Sequence, residues 1–190
     1  MHIVPGLAKS GGALLALLAM GAGVGQVDSG RQAYFRAVAE FFSMTPAEVS
    51  ILGEWRLPPE EVPVVLFVAR RAGVSPDALV ALRRSGWGWA GLVERYHLDA
   101  THFHVPLAAG APAGRLSTAY ERFEGTPANR WADVMLEDDE VVDLVNLRVV
   151  AQTLQMSPAA VLAESADGSS WVELYGRLIG DHDLRPGGGR

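Results

Sequence analysis

The 190-residue chain contains no cysteine and a single lysine, Lys9. Without cysteine there is no disulfide, no thiol nucleophile and no lipidated cysteine of the bacterial-lipoprotein kind, so packing alone must hold the fold. The basic residues are otherwise arginine, and 16 Lys and Arg against 22 Asp and Glu leave a formal charge of -6. That acidity argues against nucleic acid, whose binding rests on a basic face that displaces phosphate counterions. Catalytic signatures are scarce as well. Gly110-Ala-Pro-Ala-Gly114-Arg115 only imitates a phosphate-binding loop, because the true loop needs four residues between its glycines and then Lys with Ser or Thr. No G-x-S-x-G nucleophile elbow occurs.

What is present begins with the N-terminus. Lys9 precedes GGALLALLAMGAGVG, Gly11 to Gly25, too short and glycine-rich for a transmembrane helix and about the length of a signal-peptide core. Gly23-Val24-Gly25 or Gly21-Ala22-Gly23 supplies small residues for cleavage. Residues 1–25 are read as a signal peptide, with an uncleaved membrane anchor as the alternative. The expectation is a periplasmic or secreted protein of charge -7, without lysine and with no transmembrane span after cleavage.

Sliding the chain against itself reveals a repeat. Ser75-Pro76, Ala81, Gly86, Trp89, Leu92 and Arg95 recur 82 positions later as Ser157-Pro158, Ala163, Gly168, Trp171, Leu174 and Arg177. Upstream, Val62 and Val68-Ala69 meet Leu144 and Val150-Ala151, and VAEFFSMTPAEV, Val38 to Val49, forms a third, partial copy. Thr45, Ser75 and Ser157 suit the N-cap, and the proline after each suits the first helical position, where a missing N–H costs nothing. Thr45 and Glu48 fit a capping box, and Gly73 fits the left-handed position that ends the helix before. Apolar residues Val62, Val65, Leu66, Ala69 and Ala72, and again Val141, Leu144, Val145 and Leu147, recur at helical spacing.

The expected fold is all-α, with duplicated short-helix units (helix, turn, helix, turn, helix) packed into one compact helical domain. The units span 31–105, including the partial copy, and 131–180. A Gly/Pro-rich connection with a short helix over 118–123 occupies 106–130, and 181–190 is read as a disordered tail. WAGLVERYHL, Trp89 to Leu98, invites comparison with the first helix of a DNA-reading helix-turn-helix. The following DATHFHVPLAAGAPAG lacks Arg and Lys and carries Pro106 and Pro112 where a reading helix would run. Trp89 and Trp171 are therefore read as bulky plugs between helices.

LPPEEVPVVLFVARRAGVSPDALVALRRSGWGW, from Leu57 to Trp89, and LEDDEVVDLVNLRVVAQTLQMSPAAVL, from Leu136 to Leu162, resemble lines found in exported bacterial helical-repeat proteins without an assigned activity. The resemblance covers the chain after about residue 30 and implies export and helical architecture, nothing more.

Candidate chemistry centres on YHLDATHFH. If His102 to His104 is extended, both imidazoles project to one face, and Asp99 or His97 could complete a divalent metal site. The bland reading is a surface loop with Phe103 and Val105 packed inward. Glu137-Asp138-Asp139-Glu140 lacks calcium-loop spacing and reads as helix capping. Arg70-Arg71 and Arg83-Arg84 close adjacent helices and could join in a basic patch. Trp87, between Gly86 and Gly88, has no tryptophan counterpart in the second copy, where Ser169 stands, and joins these arginines as a candidate interaction surface. The leading expectation is a non-catalytic, exported module that binds a protein or envelope component. The alternatives are a metal-dependent enzyme using the loop 97–104 and a cytoplasmic DNA-binding regulator.

Overall fold

In the computed structural model, which describes residues 20–165 and 168–183, the chain is all-α, and its helices pack around one continuous apolar core. The order is α1 (Met20–Phe41), α2 (Pro46–Leu52), α3 (Val62–Ala72), α4 (Pro76–Arg84), α5 (Trp89–Arg95), α6 (Ala100–Phe103), α7 (Ser117–Gly125), α8 (Asp138–Thr153), α9 (Pro158–Glu164) and α10 (Trp171–Asp183), joined by short 3-10 turns. No described helix is long and apolar enough to cross a membrane. Residues 1–19 of the expected signal peptide and 184–190 of the expected tail lie outside the described residues. Met20 to Gly25 already belong to α1, and α10 continues three residues into the segment expected as tail.

Three helix-to-helix corners share one backbone solution. Ser43, Gly73 and Gln155 take the left-handed conformation at φ 50, 68 and 53°. The next amide, of Met44, Val74 or Met156, returns to the carbonyl of Ala39, Ala69 or Ala151 at 2.8, 3.1 and 2.9 Å. This satisfies a carbonyl that the helix end would orphan. Only Gly73 does so without a Cβ penalty; Ser43 and Gln155 accept the strain. Thr45 forms the expected capping box with Glu48, and Ser157 caps Ala160. Ser75 makes no side-chain cap, a departure from expectation, so α4 relies on Pro76 at its start. Beyond the corners the equivalence fades, because α5 packs on α8 whereas the longer α10 packs along α1.

α8 lies at the centre, buried on nearly every side. Its Asn146 is fully buried, accepts from the Tyr34 hydroxyl of α1, and donates to the Glu60 carbonyl at 2.9 Å and the Val142 carbonyl at 2.8 Å. Burial, with Glu60 nearby, pushes the Tyr34 hydroxyl well above its ordinary value, so it stays a donor. The acidic run before α8 does cap helices, but not only its own. Glu137 and Glu140 form the capping box of α8, Glu140 pairs with Arg122, and Asp138 accepts from Ala90 N at 2.9 Å, capping α5. A Cβ at Gly88 would sit 2.7 Å from the Asp138 carboxylate, so a larger residue there would shift this cap.

Trp89 and Trp171 are 1% and 2% exposed, the core plugs that the repeat implied. Replacing either with alanine should lower unfolding free energy by about 3–5 kcal/mol in urea titrations. A loss below about 1 kcal/mol at either position would mean that its indole does not plug the core.

Candidate functional site

The histidine segment does not build the site that extended geometry would give. Residues 100–103 form the one-turn helix α6, and Asp99 caps it by accepting from Thr101 N at 2.9 Å. His102 faces back on this cap, with Nδ1 3.1 Å from Asp99 Oδ1. His104, past the helix end, turns the other way into an aromatic nest, with ring centres 4.3 Å from Trp131 and 4.8 Å from Phe123. His97 is exposed in a left-handed turn. Among the described residues no three His, Asp or Glu side chains converge as metal ligands. The extended reading failed because Asp99 is a better N-cap than a ligand here. Phe103 and Val105 do pack inward, at 0% and 5% exposure. The segment that follows α5 is thus a four-residue helix pinned by a buried phenylalanine.

The arginines are engaged one by one. Arg83 clamps Glu61 through Nε at 2.9 Å and Nη2 at 2.6 Å and lies over the Trp89 ring. Arg70 donates to the Phe42 carbonyl at 2.5 Å, and Arg71 covers the Phe67 ring. Arg84 is exposed. Three of the four cations expected in one patch therefore have partners within the molecule. Trp87 is 39% exposed, with Arg95 over its ring. A parallel arrangement occurs around Trp171, where Arg115 covers the ring and Asp143 accepts from the indole at 2.7 Å. Burial raises the Asp143 carboxyl, while the indole and Arg115 oppose that shift.

The most developed open surface lies elsewhere, on either side of α2. One groove of about 710 Å3 runs between α1 and α2, lined by Phe35, Ala39, Met44, Val49 and Leu52 with Arg36 and Glu40 on its α1 wall. A second, of about 400 Å3, lies on the other flank between α2, Trp55 and the α3–α4 corner, and shares Met44 and Leu52 with the first. Between them α2 stands as a ridge, its Ile51 45% exposed. The third cleft, about 270 Å3 among Glu61, Arg83, Trp89, Asp138 and Asp143, is smaller and mostly acidic. Sequence reasoning missed the grooves, although it held one signal: the match of Val38 to Val49 to the later segments was only partial.

No family model, no curated protein and no solved structure matches the chain.

His104 offers a pH test of the local packing. Burial, with the Arg148 guanidinium adding to it, holds its pKa below the ordinary 6.5. The unfolded chain then takes up the proton more readily than the folded chain. Stability from this group is complete above 6.5 and is lost as pH falls towards the lowered folded value. Urea midpoints should fall between about pH 7.5 and 5.5, and fall less in a His104→Phe variant. Equal falls in both proteins would show that His104 does not carry the effect.

Proposed function

We propose that the chain is an exported, non-catalytic protein-interaction module that binds its partner across α2. One observation carries this reading: largely apolar grooves line both flanks of a single short helix and share Met44 and Leu52, and Ile51, at the edge of the second groove, is 45% exposed. An apolar surface that is continuous across a ridge is the kind of patch that marks a binding face in a globular protein. The seven-residue α2 also rests on few tertiary contacts, so a partner can adjust it at little cost.

Export rests on the N-terminal sequence, and the fold is compatible with it. The α1 residues that hold the core, Tyr34, Ala37, Val38 and Phe42 just beyond its end, all follow either cleavage point. So does Gly30, where α1 meets Gly176 of α10 with backbones in contact. A mature chain beginning after Gly23 or Gly25 keeps every one of these contacts.

A photo-crosslinking residue at Val49, in producing cells, should yield a discrete adduct in the compartment outside the cytoplasm, while the same residue at exposed Glu121 should not. Adducts of equal yield at both positions, or none at Val49, would contradict a binding face at α2.

A further inference from the structure

The α1–α2 corner has a counterpart inside the same molecule, and the comparison shows what kind of group belongs on it. Counted from the proline that opens the second helix, Phe35 and Val49 stand where Leu147 and Val161 stand at the α8–α9 corner. Leu147 and Val161 are both 0% exposed, whereas Phe35 and Val49 are half-buried and line the groove. Short helical turns of the chain itself cover α8–α9. One is α6, where the carbonyls of His102, Phe103 and His104 receive Arg148 at 3.2, 3.2 and 2.8 Å. The other is Gly114–Leu116, which sets Gly114 so close to the Leu162 carbonyl that a Cβ would come within 3.1 Å, and buries Leu116. Among the described residues the groove beside α2 has no such cover.

The missing cover is a short apolar helical turn, and α2 is itself one. It is seven residues long and presents Ile51 outward at 45% exposure. Ridge and groove lie side by side on one face. A face that carries a ridge next to a groove is complementary to itself after a twofold rotation, the condition for an isologous dimer. Arg36 and Glu40 share the groove wall, and Arg36 has no ion pair among the described residues, while α2 and the turn after it carry exposed Glu48, hydrogen-bonded to Thr45, and Glu54. A twofold axis beside α2 brings Arg36 of each copy towards the acidic α2 of the other.

We propose that a second copy of the chain docks here, with α2 of each copy seated in the groove beside α2 of the other. This rests on the reading of the α2 face as a binding surface and names its occupant.

The test uses the purified full chain, whose lack of cysteine makes a single introduced thiol unique. In sedimentation equilibrium the mass should rise from one chain towards two between about 1 and 100 µM, and Ile51→Glu should weaken the association about tenfold or more. Far-UV circular dichroism of that variant should stay unchanged, because Ile51 is held only in part by the fold. A short bismaleimide should join two Val49→Cys chains and leave Glu121→Cys chains single. One-chain mass up to about 100 µM, with no two-chain product, overturns the dimer. If Val49→Cys is then freely reactive and couples in cells to a different protein, the binding surface stands and the second copy falls. If the thiol is shielded in the monomer, a segment of the same chain fills the groove, and both proposals fall.

Discussion

A polar side chain inside an apolar core costs several kcal/mol unless its hydrogen-bonding groups are met. Asn146 is that side chain here, fully buried on the central helix α8. Its carbonyl oxygen takes the Tyr34 hydroxyl of α1, and its amide holds the Glu60 carbonyl just before α3. One amide therefore ties the first helix and the entry to α3 to the centre, and neither can shift along α8 without orphaning a buried group. The plugs depend on this register. Trp171 reaches Asp143, one turn before Asn146 on the same helix, and Asp138 at its start caps the helix that begins with Trp89.

On that frame the chain repeats one corner three times and treats the corners differently. The backbone problem is local: a helix must stop, its last carbonyls need donors, and the chain must turn into another helix. A left-handed residue, one returning amide and a following Ser/Thr-Pro solve it each time. What covers the corner is not local. α6 lies on α8 and the Gly114–Leu116 turn on both α8 and α9, whereas among the described residues nothing comparable closes the grooves beside α2.

The same division explains what was legible in the sequence. Helix starts at Thr45, Ser75 and Ser157, the turn at Gly73 and the capping of α8 by Glu137 and Glu140 follow from residues close together in the chain, whereas Asp138 capping α5, 48 residues away, does not. Left-handed Ser43 and Gln155 were not legible, because neither residue favours that conformation, and the surrounding packing imposes it. The extended geometry expected of the histidine segment does not form, because Asp99 caps a helix over 100–103, with His102 against that cap and His104 beside Trp131. Of the four arginines, Arg83 turns to Glu61, 22 residues away, a pairing that the sequence did not announce. The grooves left one trace in the sequence: the match to the later segments stopped short after Val49, and apolar residues of that stretch line the candidate site.

Hydrogen exchange along the backbone tests the central contrast most directly, by comparing α2 with α9 as concentration is raised. The account predicts that α9 amides are protected throughout, while α2 amides exchange quickly in dilute solution and slow as a second copy settles over them. If α2 is as protected as α9 in dilute solution, and insensitive to concentration, the α1–α2 corner is already covered and the account is contradicted.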